Sequence, residues 1–221
     1  MTRNKTRRLT LAAMMGAVSF VLMYFSFSVP VLSPFAEFDF SALPELIGGF
    51  ILGPIGAIEI IVVKIGLKLL FKGSSSLLTG EAMNLILSLA YVLPALFYYR
   101  KHRTKKGAII GLALGTVCLT VVMLLWNYLI TPLYMHTARA DVAAMLVPVF
   151  LPFNLLKGCL NATITVLLYK PVVQGLRHAH LLPPSKTPGR MPVKRRLAVW
   201  LGALAVLAVC IVLILILHGT I

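Results

Sequence analysis

The stretch at residues 43–71, LPELIGGFILGPIGAIEIIVVKIGLKLLF, decides how many helices the chain forms. It is apolar enough for a membrane, and it is long enough for one tilted helix or for two shorter ones. Gly53, Pro54 and Gly56 lie in its middle, and these residue types interrupt helical patterns. We therefore predict two helices that meet at the segment GPIG.

The composition around this stretch indicates an integral membrane protein. Hydrophobic residues make up 59% of the 221 positions and charged residues only 12%, whereas about 25% charged is usual in soluble domains. Further apolar segments occupy residues 9–29, about 80–99, 108–130, 147–169 and 197–217. We interpret the first as a retained helix, because its apolar run is long for a signal peptide and no small-residue cleavage site follows.

The positive charge is concentrated between the apolar segments. The net charge is +15, and most Lys and Arg residues fall at residues 3–8, 100–106 and 170–196. Loops rich in Lys and Arg face the cytoplasm, so all three regions are predicted to be cytoplasmic. The first two share a side only if the chain crosses the membrane an even number of times between them, which requires two helices at residues 43–71. Nucleic-acid binding requires a basic face interleaved with polar and aromatic residues, and the sequence shows no such face.

These segments predict an all-α, polytopic membrane helix bundle. A six-helix core covers residues 1–175, a basic, Pro-rich cytoplasmic linker covers residues 176–196, and an additional transmembrane helix covers residues 197–221. Polar groups mark functional membrane helices. The last segment is nearly all Ala, Val, Leu and Ile before His218, so we interpret it as an anchor.

The stretch PFNLLKGCLN of the sixth predicted helix places polar side chains inside an apolar segment. Asn154, Lys157, Asn161 and Thr165 are spaced so that they share one helix face. Lys157 lies near the predicted membrane midplane, where a lysine costs about 2.5–3.5 kcal/mol unless it faces protein or water. We expect it to face protein or water.

Two other predicted helices carry similar polar stripes, and we expect the three stripes to face one another. The members are Thr116, Thr120, Asn127 and Thr131 on the fifth helix, and Glu81, Asn84 and Ser88 on the fourth. Hydrogen bonds between helices are one explanation, but they average only about 0.6 kcal/mol each. We favour a polar ligand pocket. Lys68 and Lys72 are predicted to reach the outer interface.

The loop FAEFDFSALPEL before the second helix carries Glu37, Asp39, Ser41 and Glu45. It is either an ordinary interfacial loop with aromatic residues or a lid that supplies carboxylates to the pocket and a counter-charge to Lys157.

Motifs of catalysis are absent from the sequence. It contains no GxxxxGK[ST], HExxH or GxSxG pattern and no evident inverted repeat. Cys118, Cys159 and Cys210 lie singly in apolar segments, which is typical of small buried side chains rather than of a metal site or a disulfide. We predict no enzyme activity, no catalytic residue, no metal and no cofactor.

Several motifs occur in an order that resembles a known family. They are DFS followed by LPELIGGFILGPIGA, then TGEAMN, WNYLITPLY and LPFNLLKGCLNA. Over about the first 175 residues, the chain resembles the riboflavin-specific substrate-binding subunits, or S components, of energy-coupling factor (ECF) transporters. The resemblance implies a six-helix vitamin binder that captures riboflavin from outside. It also implies partnership with a membrane coupling subunit and two cytoplasmic ATPases, and toppling in the bilayer to release the vitamin.

The resemblance also implies roles for individual residues. Implied ligand-binding residues are Asp39, Ser41, Asn84, Asn127, Asn154 and Lys157. Ala13 and Ala17 match the family's AxxxA pattern, which docks on the coupling subunit. Ala42 and Glu81 depart from the family pattern. The alternatives are an S component for another vitamin or flavin analogue, a stand-alone secondary transporter or membrane enzyme, and a purely structural subunit.

Overall fold

A computed structural model of the chain describes residues 2–28, 37–73, 78–135 and 138–183. The additional helix predicted at residues 197–221 and most of the linker at 176–196 lie outside the described residues. The helices are α1 (Thr2–Tyr24), α2 (Ala42–Leu52), α3 (Pro54–Lys72), α4 (Thr79–Lys101), α5 (Lys105–Leu129), α6 (Thr131–Met135), α7 (Arg139–Met145) and α8 (Leu151–His178).

The predicted break in residues 43–71 is confirmed. Gly53 separates α2 from α3. Its φ is 84°, a backbone conformation that residues with a Cβ rarely adopt. Pro54 then begins α3, where its fixed φ suits a first helical position and its missing N–H costs nothing. The all-α bundle of six principal helices is likewise as the sequence predicts, with α8 as the sixth.

Helix α2 lies at the centre of the bundle. It has 11 residues and contacts α1, α3, α4 and α8. At about 1.5 Å per residue it is roughly 16 Å long, about half the hydrocarbon thickness of a bilayer. Four helical stretches among the described residues are long and apolar enough to cross a membrane: Lys5–Tyr24, Thr79–Lys101, Lys105–Leu133 and Arg139–His178.

The ends of the outer helices differ from the predicted segments. Helix α1 ends at Tyr24, earlier than predicted, because the chain then pairs Phe27–Ser28 antiparallel with Glu37–Phe38. Helix α8 runs on to His178, past the predicted core boundary at 175 and through Pro171. Its last turns pack against an apolar cluster around Leu11, and this packing outweighs the hydrogen bond that proline removes.

Close helix contact positions α8 against α5. A Cβ on Gly158 would lie 2.5 Å from Cγ2 of Thr116, so only glycine permits this approach. The Tyr91 hydroxyl of α4 donates to the Gly158 carbonyl at 2.8 Å. These contacts bring the polar faces of α4, α5 and α8 together.

Candidate ligand-binding site

A cavity of about 220 Å³ lies at the end of the bundle where α1 and α3 finish and α4 begins. Polar side chains from four regions of the chain line it: Asp39, Asn84, Asn127, Asn154 and Lys157. Apolar and aromatic side chains complete the wall, among them Phe20, Met83, Leu87, Met123, Phe150 and Phe153. An apolar cavity with a few convergent polar groups is typical of a small-molecule site.

Five of the six ligand-binding residues predicted from the sequence thus line one cavity. The sixth, Ser41, is buried behind Asp39 and is not among the lining residues. Its hydroxyl donates to Asp39 Oδ1, and its backbone N–H donates to the same oxygen at 3.0 Å. Ser41 therefore orients Asp39 and does not itself line the cavity.

Lys157 and Asp39 form the charged centre of the site. Lys157 Nζ lies 2.7 Å from Asp39 Oδ2, and both side chains are nearly buried. Burial raises the pKa of the Asp39 carboxyl, but the ammonium groups of Lys157 and Lys64 more than reverse this and hold its pKa well below the usual range. Asp39 therefore stays ionised at neutral pH and supplies the counter-charge that makes a buried Lys157 tolerable.

The three cavity asparagines present different groups to a ligand. Asn84 and Asn154 donate through Nδ2 to the backbone carbonyls of Gly80 and Phe150, each at 2.8 Å, so their Oδ1 atoms serve as acceptors. Asn127 instead accepts at Oδ1 from the Thr131 hydroxyl at 3.0 Å, so its Nδ2 hydrogens serve as donors. The cavity therefore offers both hydrogen-bond donors and acceptors.

Two lysines that the sequence assigned only to the membrane interface also line the cavity. Lys68 pairs with Glu81 at 3.1 Å, and Lys72 Nζ lies 5.4 Å from the ring centroid of Tyr24. Their spacing along α3 places them on one face, a signal that sequence inspection could have linked to the polar stripes.

A second buried ion pair lies beneath the cavity. Lys64 pairs with Glu45 Oε1, and the two side chains are 1% and 0% exposed. Ser88 accepts a hydrogen bond from Lys64 at 2.7 Å and donates to Glu45 at 3.2 Å, while the Ser19 hydroxyl donates to the Ser41 carbonyl at 2.6 Å. This cluster ties α1, α2, α3 and α4 to the segment that carries Asp39.

The described residues offer no alternative metal or disulfide chemistry. Cys118 and Cys159 are free thiols, and no group of three His, Cys, Asp or Glu side chains in the described ranges is placed to hold a metal ion. Cys210 lies outside those ranges.

Comparison with known proteins shows the family of the chain. A family model described as "ECF transporter, substrate-specific component" matches residues 7–169. The chain is 36% identical to the riboflavin transporter RibU of Streptococcus thermophilus, over 76% of this chain and 84% of that protein. It is 31% identical to the riboflavin transporter FmnP of Bacillus subtilis, over 80% of this chain and 99% of that protein.

The fold is similar to a solved structure described as the S component of a bacterial ECF transporter. The TM-score is 0.67 at 30% identity, and the match covers 78% of this chain and 99% of that one. The residues that the family model matches include those that line the cavity. The chain therefore belongs to the family of substrate-specific components of ECF transporters.

Proposed function

We propose that the chain captures riboflavin from outside the cell and delivers it through an ECF-type, ATP-driven uptake transporter. The observation that carries the proposal is the cavity in which Lys157, Asp39 and three asparagines converge between aromatic and apolar walls. Relatives that cover most of the chain are named riboflavin transporters. As a transporter component of this family, the chain is a multi-pass membrane protein and not an enzyme.

The chemistry of the cavity suits a flavin. The polar edge of the flavin ring presents carbonyl acceptors and one N–H donor. Lys157 and the Nδ2 group of Asn127 donate to the carbonyls, and the Oδ1 atom of Asn154 or Asn84 accepts from the N–H. The ribityl hydroxyls bond to Asp39 and nearby polar groups. Phe153 and Met123 contact the faces of the ring.

Asn127→Leu tests the polar edge of this site. We expect riboflavin affinity to fall about tenfold. The variant removes one hydrogen-bond donor and leaves a carbonyl of the ligand without a partner. Titration of the purified protein with riboflavin measures the effect. Thr120→Val is the matched control, because Thr120 is buried on the same helix and is not among the lining residues. Its hydroxyl donates to the Thr116 carbonyl of that helix at 2.8 Å. Equal losses in both variants would contradict the assignment.

We further propose that the N-terminus is cytoplasmic and that the chain works with a membrane coupling subunit and two cytoplasmic ATPases. The basic residues of 3–8, 100–106 and 170–196 support this orientation. The cavity then opens on the outer side. Residues 1–175 form the binding core, 176–196 a linker, and 197–221 an additional membrane helix.

The exposed face of α1 supports a docking role for its alanines. Ala13 and Ala17 are exposed, beside Met14 and Val18. Small residues four apart let a second helix approach closely. The opposite face of α1 is buried in the bundle through Leu11 and Ala12, so α1 can bind a partner without disturbing the cavity.

Ala13→Leu combined with Ala17→Leu tests this docking face. We expect riboflavin affinity to stay within about twofold and co-purification with the coupling subunit to fall at least about tenfold, since bulk prevents close helix approach. Ala113→Leu is the control, because Ala113 is similarly exposed on α5. A double variant that retains full complex formation would contradict the proposed docking face.

Transport assays separate the proposal from a stand-alone transporter. In proteoliposomes, the chain with its ATPase partners is expected to accumulate riboflavin when ATP is supplied on the cytoplasmic side. The chain alone is expected to bind riboflavin without concentrating it. ATP-independent accumulation by the chain alone would overturn the proposed coupling.

A further inference from the structure

A second cavity, of about 440 Å³, lies at the opposite end of the bundle from the ligand cavity. It is formed where α2 meets α3, between the first turns of α1 and the last turn of α4. Three arginines line it: Arg8 from α1, Arg100 from α4, and Arg103 from the turn that follows α4.

The charge of this cavity is strongly positive. No aspartate or glutamate is among its lining residues. Within the described ranges, Arg8 has one ion pair, to Glu59 at 3.4 Å, while Arg100 and Arg103 have none. Among the described residues, only one of the three guanidinium groups is thus paired with a carboxylate. The cavity therefore favours an anion, and guanidinium groups bind phosphate oxygens with matched, bidentate geometry.

The remaining wall of the cavity is mostly apolar. It includes Phe50, Leu52, Ile55 and Leu96, and the Ile55 side chain is 65% exposed. Ile58, one turn further along α3, is also exposed. In a membrane, this face of α3 contacts lipid chains. A ligand that satisfies both parts of the cavity has an anionic head and an apolar body.

We propose that this cavity binds the phosphate headgroup of an anionic phospholipid, with Arg8, Arg100 and Arg103 on the phosphate and the acyl chains along Ile55 and Ile58. Basic pockets between membrane helices are suited to such headgroups. A free phosphate ion would use the arginines but not the apolar wall, so the structure favours the lipid. This site is separate from the riboflavin cavity and does not depend on the ligand proposed there.

Lipid retention measured by native mass spectrometry tests the proposal. The probes are phosphatidylglycerol, phosphatidylcholine with the same acyl chains, and inorganic phosphate as a competitor. We expect the protein to retain phosphatidylglycerol at least about tenfold better than phosphatidylcholine, a preference worth about 1.4 kcal/mol. Inorganic phosphate at the same concentration should not displace it. Equal retention of the two lipids, or displacement by phosphate, would overturn the lipid assignment.

Charge-matched variants show whether the cavity itself is responsible. Arg100→Gln combined with Arg103→Gln is expected to remove most of the preference. It should also fold normally, because both residues are exposed and have no ion pair in the described residues. Lys105→Gln combined with Lys106→Gln removes the same charge from the same end but is outside the cavity lining. Equal losses in the two double variants would mean attraction by general surface charge and would contradict a site.

Discussion

Lys157→Met is expected to weaken riboflavin binding at least about tenfold, because hydrogen bonds to charged groups contribute about 1.5–3 kcal/mol each. Lys157 lines the cavity, and its ammonium group, a hydrogen-bond donor, donates to Asp39 at 2.7 Å. Methionine keeps a similar shape but donates nothing. Riboflavin titration of the purified variant measures the loss.

A second variant separates ligand contact from charge balance. Lys157→Met leaves the Asp39 carboxylate without its closest counter-charge, which could itself disturb the cavity. Asp39→Asn combined with Lys157→Met removes both charges. If Lys157 contacts riboflavin, the double variant binds riboflavin at least about tenfold more weakly than Asp39→Asn alone, which lacks the same carboxylate. Equal affinity in these two variants would mean that Lys157 serves only to neutralise Asp39.

Lys64→Met is expected to lower the free energy of unfolding by about 3–5 kcal/mol, since it leaves a buried carboxylate unpaired. Glu45 is 0% exposed, and one of its oxygens, Oε2, already has no hydrogen-bond partner among the described residues. After the substitution, the Ser88 hydroxyl still donates to Oε1 at 3.2 Å, whereas the Ser19 hydroxyl donates to the Ser41 carbonyl at 2.6 Å and lies 3.3 Å from Oε1. Denaturant unfolding in mixed micelles measures the change.

The matched variant for this pair replaces both charges. Glu45→Leu combined with Lys64→Met removes the desolvated ions together and fills the space with apolar atoms. Replacing a whole buried pair in this way is often neutral or stabilising, so we expect the double variant to recover most of the stability lost in Lys64→Met. If Lys64→Met alone unfolds like the parent protein, the pair does not stabilise the bundle.

The fold could be predicted largely because its signals are local. Gly53 and Pro54 mark the break between α2 and α3. The basic clusters at residues 3–8 and 100–106 predicted an even number of membrane crossings between them, which also requires two helices there. The polar stripes on the fourth, fifth and sixth predicted helices indicated that these faces meet inside the bundle, because exposing polar side chains to lipid is unfavourable. Asn127, Asn154 and Lys157 accordingly line one cavity. The additional helix at residues 197–221 remains a prediction.

Other features depend on tertiary contacts that sequence spacing does not encode. The pairing of Glu45 with Lys64 joins residues 19 positions apart on two helices whose mutual orientation is set by Gly53. The short helices α6 and α7 lie between the predicted apolar segments 108–130 and 147–169. They are only 5 and 7 residues long, which is too short for a clear helical pattern in the sequence. Ser41 belongs to the predicted binding motif, yet the turn before α2 directs it behind Asp39.

Binding of riboflavin to the purified protein tests the proposed function most directly. The visible absorption spectrum of the protein as isolated is recorded first, and protein stripped of ligand is then titrated with riboflavin while tryptophan fluorescence is followed. Trp126 precedes Asn127 on α5, so a bound flavin is expected to quench it. We expect a yellow, co-purifying chromophore and saturable quenching. A protein shown to be folded that carries no chromophore and gives no saturable response would contradict the assignment of riboflavin to this cavity.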